Sequence, residues 1–484
     1  MSELITFAEL GLSQHVLAAV TKIGYETPSP IQAQAIPALL SGRNILGTAQ
    51  TGTGKTAAFS LPLLSMLDAK QRTAQILVLT PTRELAIQVA EAIQKYASEI
   101  PEFHVLPLYG GQDIGIQFRA LKRSVQVVVG TPGRLSDHLR RESLNLSGLK
   151  AVVLDEADEM LKMGFEEDVR AILAQAPKTC QRALFSATMP SSLAEIVSEH
   201  LGDYEEIRIQ TKTSTVEKIT QRAVLVRQEH KLHALTRLLE HEDYDAMLIF
   251  VRTKAAAAEL AEKLEARGYS ATPLSGDLNQ ALRERTINRL KEGLVDIVVA
   301  TDVAARGLDV DRITHVLNFD IPYDTESYVH RIGRTGRAGR EGQAILFVSP
   351  RERAMLKSIE RATRQPITQM ELPTSEQIQN KRVKDYKDNI LQVIQNENLE
   401  QFQELVESWS EDDALSMTDL AAALLFHAQK EQPLFAEIQE IPKSIERNDR
   451  GRSDRFERGD RNDRFDRSDR PERGDRPERG ERPE

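Results

Sequence analysis

The fold of this chain turns on AVVLDEADEM, residues 151–160. Ala151 to Leu154 are apolar without polar alternation, which describes a strand buried on both faces of a parallel sheet. The run stops abruptly at three carboxylates, Asp155, Glu156 and Asp158. Carboxylates in that place suit the positive end of a following helix. Equally, they suit a site for a metal ion and a water, and the rest of the chain bears on that choice.

Similar runs recur on both sides: NILGT (44–48), ILVLT (76–80), HVLPLY (104–109), VQVVVG (125–130) and RALFSAT (182–188). Between them lie segments with apolar residues at helical spacing, such as ELAIQVAEAIQKYASEI. This βαβα order predicts a parallel sheet with helices on both faces. IQTKTSTVEK is polar and without periodicity, so residues 209–218 read as a linker. The pattern then restarts with QRAVLV (221–226), AMLIFV (246–251), SATPL (270–274), VDIVVAT (295–301), THVLNF (314–319) and QAILFV (343–348). Two similar α/β domains are expected, over 34–208 and 219–365, after a lead-in at 1–33. Ligands of such sheets bind at the carboxyl ends of the strands, where every motif below falls.

No strand is expected after residue 365. Residues 366–443 read as a small helical extension, with Ile390, Leu391, Ile394, Phe402, Leu405, Val406 and Trp409 at helical spacing. Its two readings are an appendage on the second domain and a self-association surface. From Asp454 an acid-Arg-x triplet repeats, so 444–484 reads as a disordered tail. That tail suits a weak RNA contact or plain solubilisation. Residues 446–484 hold 13 acidic residues and 13 arginines, so the net charge of −10 resides in residues 1–445. An acidic body still accommodates a local basic groove, so nucleic acid is not excluded. With one cysteine, Cys180, no internal disulfide is available, which fits a reducing cytosol. MSELITFAEL lacks signal-peptide character, and no apolar run reaches the roughly 20 residues of a membrane span. A cytoplasmic protein is expected.

AQTGTGKT, residues 49–56, follows a strand and precedes an apolar helix. It fits the phosphate-binding pattern G-x-x-x-x-G-K-[ST], except that Ala49 stands at the first glycine. Through Gln50, Thr51, Gly52, Thr53 and Gly54, backbone N–H groups can turn toward a phosphate at a helix N-terminus. Lys55 then reaches the β- and γ-phosphates and the Thr56 hydroxyl serves Mg²⁺. The plainer reading is a glycine-rich turn. A nucleoside triphosphatase needs a second acidic strand end for Mg²⁺. Asp155 supplies it, partly through water, and Glu156 can orient or deprotonate the attacking water.

Read literally, residues 155–158 spell DEAD. Together with the loop, the chain over about residues 5–365 resembles the DEAD-box ATP-dependent RNA helicases, and within them the bacterial cold-shock DeaD and CshA-type group. The resemblance implies two tandem RecA-like parallel-sheet domains with ATP and Mg²⁺ as cofactors. It also implies that Gln32, in GYETPSPIQ (24–32), reads adenine, that Tyr25 stacks on the base, and that Phe7 is the upstream aromatic. Ser186 and Thr188 of SAT, with Asp158 and His330, would couple nucleotide state to RNA. PTRELA (81–86), the glycine pair at 110–111 and TPGR (131–134) would hold a sugar-phosphate backbone through Arg83, Gly111, Thr131 and Arg134. Arg252, Gly276, Asp277 and Thr301 hold the corresponding places in the second domain.

HRIGRTGR (330–337) sets Arg331, Arg334 and Arg337 three residues apart, which predicts one helical face. They read as a surface basic patch or, opposite a triphosphate, with Arg334 and Arg337 as arginine fingers. By resemblance Gly307 and Asp309 line the nucleotide side. The expected activity is local unwinding of short RNA duplexes driven by RNA-stimulated ATP hydrolysis. Ribosome assembly, RNA decay or cold adaptation is the expected setting. A homodimer through the extension is a further expectation, as is the absence of the extra C-terminal RNA-binding domain that many DeaD relatives carry. The rival readings are an ATP-gated RNA clamp or scaffold and, more weakly, a DNA translocase.

Overall fold

Seven parallel strands form the first sheet: β1 (Asn44–Thr48), β2 (Ile76–Leu79), β3 (Val105–Leu108), β4 (Val127–Gly130), β5 (Ala151–Leu154), β6 (Gln181–Ser186) and β7 (Tyr204–Arg208). Their order is β3-β4-β2-β5-β6-β1-β7. The computed structural model describes residues 5–49, 53–68, 70–209, 218–276, 278–336, 340–410, 416–428 and 434–435. The expected linker lies almost wholly outside these residues, and the expected tail entirely so.

The second sheet holds β8 (Ile219–Leu225), β9 (Ala246–Phe250), β10 (Ala271–Leu274), β11 (Ile297–Ala300), β12 (Ile313–Asn318), β13 (Gly342–Val348) and β14 (Thr368–Gln369). Its order, β10-β11-β9-β12-β13-β8-β14, repeats that of the first. The two domains are thus topological copies, as the restart of the pattern implied. β5 lies between β2 and β6, with Ala151 opposite Ile76 and Gln181. Its four residues are buried on both faces, which explains the missing alternation.

Each sheet ends in a strand that the sequence did not disclose. β7, YEEIR, has one buried residue, so it carries no apolar signature. β14 comprises two exposed residues pairing with β8. It corrects the expectation that no strand follows residue 365. It belongs to the second sheet and starts no new domain.

The extension contains helices Ser375–Asn396, Glu400–Ser410 and Met417–Ala428. Thr374 and Gln377 form a capping box at the start of the first. Its early turns pack on the second domain, where Ile378 is buried and Lys381 donates to the His241 carbonyl at 2.8 Å. Further along, Ile390, Leu391, Ile394, Phe402, Leu405 and Trp409 are exposed. The appendage reading therefore holds for the first turns, while an apolar surface continues beyond them. No helix among the described residues is long and apolar enough to cross a membrane.

Arg222 on β8 forks onto Glu242, with N–O distances of 2.8 and 2.7 Å, and His315 lies 3.5 Å from the same carboxylate. Burial alone would raise the Glu242 pKa, but His315 and Arg222 more than offset it and hold it at about 2. The folded value lies below the ordinary one, so this stabilisation is present above about pH 4.5 and is lost as pH falls toward 2. Glu242→Gln is expected to cost about 2 kcal/mol at neutral pH. Thermal melts across this range will show a shallower acid decline in the variant.

Candidate functional site

Lys55 opens helix Lys55–Ser65 behind Gly54, whose φ of 88° is a left-handed conformation that glycine adopts without strain. Its buried Nζ donates to the Ala49 carbonyl at 3.2 Å. Thr56 follows, half-buried. Gln50, Thr51 and Gly52 lie outside the described residues. Gln32 is buried, which removes the plain reading of an exposed amide. Its Nε2 donates to the Gly54 carbonyl at 3.1 Å and its Oε1 accepts from Ser29 N–H at 2.8 Å. Ser29 Oγ also donates to the Thr53 carbonyl at 2.8 Å. The PSPIQ segment is thus tied directly to the phosphate loop. Tyr25 keeps an open ring, 40% exposed, stacked at 6.1 Å on the buried Phe7.

Asp155 and Glu156 leave the end of β5 toward Lys55. Burial pushes the Asp155 carboxyl above its ordinary range, and the Lys55 ammonium opposes that. Burial raises Glu156 likewise, opposed by Lys55, Arg334 and His330. Glu156 has φ 52° and ψ 50°, a left-handed conformation unusual for a residue with a Cβ. It caps helix Ala157–Lys162, so the helix-end reading describes the neighbourhood but does not explain this bend. Asp158 turns to β6, where its Oδ2 accepts from Thr188 N–H at 2.8 Å and Thr188 Oγ1 at 2.7 Å. Burial would raise Asp158, yet the hydrogen bonds from Thr188 and Ser186 bring it below the usual carboxylate range. The fully buried Ser186 donates to the Thr188 carbonyl at 2.6 Å.

Arg334 comes from the second domain. Helix Thr325–Ile332 stops before it, which corrects the expectation of three arginines on one helical face. Arg331 turns into its own domain, 2.5 and 2.8 Å from Asp302 and over the Phe250 ring. Arg334 is buried and donates to the carbonyls of Leu308 at 3.1 Å and His330 at 3.2 Å. Burial lowers its pKa while the Glu156 charge opposes that. Arg337 lies outside the described residues, and Asp309 is exposed.

No motif signals the ion network between the domains. Glu159, 2% exposed, sits 3.3 Å from Lys162 of its own helix. From the other domain Arg306 approaches it to 2.5 Å and His330 to 3.6 Å. Lys162 also reaches Glu326 at 2.6 Å, and Thr188 Oγ1 lies 3.2 Å from the same carboxylate. Glu159, Glu326 and His330 stand close enough to share a metal ion. Lys162 and Arg306 already neutralise these carboxylates.

Along the other half of the cleft Arg83 Nη1 donates to Gln280 at 3.2 Å, and Arg283 pairs with Glu84. Gly307 has φ 70°, and its carbonyl accepts from Gln88 at 2.5 Å. A side chain there would collide with Thr82 and Glu84. Gly307 therefore lies against the PTRELA segment of the first domain. Gly111 (φ 90°) packs under the Arg83 guanidinium. Thr131, at the end of β4, and Thr301, at the end of β11, are buried. Gly276 and Arg252 are exposed at the ends of β10 and β9, and Arg252 lies over the Tyr323 ring at 4.8 Å. Asp277 is outside the described residues. The partners across the cleft are 138–219 residues apart in the chain, beyond any local spacing rule.

Three family models match the chain: DEAD/DEAH box helicase over residues 29–196, helicase conserved C-terminal domain over 230–339, and RNA helicase DeaD dimerization domain over 373–439. The ATP-dependent RNA helicase DeaD of Mycobacterium tuberculosis is 53% identical over 419 residues, covering 87% of this chain and 74% of that one. The protein of the same name from Escherichia coli is 52% identical over 432 residues, covering 89% and 69%. Among solved structures, S. cerevisiae Dbp5 bound to RNA and ADP BeF3 aligns with a TM-score of 0.69 at 32% identity, covering 78% of this chain and 98% of that one. Mss116p bound to ssRNA and AMP-PNP aligns with a TM-score of 0.70 at 26% identity, covering 84% and 86%.

Proposed function

The chain belongs to the DEAD-box family of ATP-dependent RNA helicases, and from that membership we propose how its residues divide the work. Lys55 and the loop around it bind the phosphates of ATP, with Gln32 on the adenine edge and Tyr25 on its face. Thr56 and Asp155 hold Mg²⁺, partly through water. The fit is chemical: both present oxygen, and a buried carboxylate that burial disfavours as an anion gains from a cation beside it. The chemistry that Mg²⁺ supplies when bound is neutralisation of phosphate charge.

Glu156 orients the attacking water and accepts its proton. Arg334, with Arg337, faces the charge that develops on the γ-phosphoryl group. Asp158, Ser186, Thr188 and His330 pass the nucleotide state to the RNA side through the bonds between β5, β6 and the second domain. Arg83, Gly111, Thr131 and Arg134, with Arg252, Gly276, Asp277 and Thr301, hold the RNA backbone with little sequence preference. Closure on ATP and RNA bends one strand of a short duplex and releases the other, and hydrolysis reopens the cleft.

One observation carries this reading. Lys55, which follows β1, and Asp155 and Glu156, which follow β5, belong to the first domain, and Arg334 belongs to the second. Lys55, Asp155 and Arg334 are all buried, with the Lys55 and Arg334 charges acting on Glu156. The catalytic set is complete only when the domains meet. The test is displacement of a labelled strand from a short RNA duplex. Release that requires ATP supports the helicase, whereas ATP-dependent retention without release would support the clamp.

The exposed apolar surface beyond residue 390, within the segment matching a dimerization model, supports a homodimer. Action in the cytoplasm on ribosomal precursors or decaying RNA, including in the cold, is part of the same proposal.

A further inference from the structure

Gln117 lies in helix Ile114–Leu121, between the glycine pair and TPGR, and is 1% exposed. Its Nε2 donates to the Tyr109 carbonyl at 3.1 Å and to Gln112 Oε1 at 2.9 Å. Its Oε1 accepts from Arg134 Nη1 at 3.0 Å and lies 2.9 Å from His138 Nε2. The orientation of the amide follows from chemistry, because a guanidinium only donates and so must face the oxygen. His138 is fully buried, and burial, aided by the Arg134 charge, keeps its pKa below the ordinary value. It is therefore a neutral ring that donates through Nε2. All four hydrogen-bonding positions of the amide are filled.

Those four partners bracket the RNA side of the first domain. Tyr109 and Gln112 flank Gly110 and Gly111, and Arg134 ends TPGR. Arg134 also donates to the Gln112 carbonyl at 3.3 Å through Nη1 and Nη2. We infer that Gln117 is a positioning residue that holds the glycine-pair loop and Arg134 in one fixed arrangement for an RNA backbone. The inference rests on the RNA track proposed above. A buried amide with four partners fixes loop and guanidinium before RNA arrives, so less ordering is left for the binding step. Without it, Arg134 keeps only the Gln112 carbonyl as an acceptor, and the loop loses the two anchors that the Gln117 amide donates to.

The test uses the full chain and single-stranded polyuridylate, with ATP hydrolysis followed as the RNA concentration is raised. Gln117→Leu is expected to raise the half-saturating RNA about tenfold, since a hydrogen bond to a charged group and two loop anchors are lost. The maximal rate at saturating RNA should change far less. Gln117→Glu is nearly isosteric and keeps both acceptor contacts while losing both donated ones. It should also raise half-saturation, and it decides the matter should the leucine variant fail to fold. A fall in maximal rate with unchanged half-saturation in either folded variant would overturn the positioning role. Failure of RNA to stimulate the unsubstituted chain would instead remove the RNA track itself.

Discussion

Glu156→Gln is expected to bind ATP and RNA and to hydrolyse ATP about 10³-fold more slowly, within the usual range for loss of a general base. Two features of the site and the chemistry of the amide lead there. Its left-handed backbone, φ 52°, turns residue 156 out of the line of β5 at the point where the strand gives way to a helix. Burial raises the pKa of its carboxyl, as a proton acceptor in catalysis requires, while Lys55, Arg334 and His330 act on it from the two domains in the opposite direction. The amide keeps size and hydrogen-bonding geometry but accepts no proton at neutral pH. Binding should persist because phosphates and adenine are held elsewhere. Single-turnover hydrolysis beside equilibrium binding of a fluorescent ATP analogue separates the two, and equal losses in both would contradict the assigned role.

Arg334→Ala is expected to lower the hydrolysis rate by roughly 10³- to 10⁵-fold, the range for an arginine finger. The side chain is held by the Leu308 and His330 carbonyls of its own domain. Burial lowers its pKa, but guanidinium titrates so high that it stays charged. Lysine should rescue poorly, because an ammonium cannot keep both carbonyl contacts and still reach a phosphate. Closure rests also on Glu159–Arg306, Lys162–Glu326 and Glu84–Arg283, none of which the substitution touches. The distance between dyes on the two domains should therefore still shorten with ATP and RNA. A variant that hydrolyses ATP normally would place the finger elsewhere.

Much of this was legible in the chain because parallel strands buried on both faces read as plain apolar runs. The twelve strands named from such runs all exist, with ends shifted by a residue or two. β7 and β14 escaped because an edge strand with few buried side chains has no apolar signature. Many motif residues could be placed because they follow a strand end, although Tyr25 and Gln32 precede β1 and Arg334 follows a helix. Helix geometry misled at Arg331, where spacing of three suggested a shared face but the helix ends at Ile332. Glu159, Arg306, Lys162 and Glu326 were invisible for another reason: they meet only when the domains close, and charged residues at such positions read as solvated surface. Gln117 and His138 were equally silent, since a polar residue within a helix says nothing of burial.

The most direct measurement is steady-state ATP hydrolysis with no polynucleotide, with single-stranded RNA and with DNA of matched sequence. Membership of the RNA helicase family predicts slow turnover alone, strong stimulation by RNA and little by DNA. Equal stimulation by DNA would contradict an RNA-directed track, and no hydrolysis under any of the three conditions would contradict the catalytic site itself.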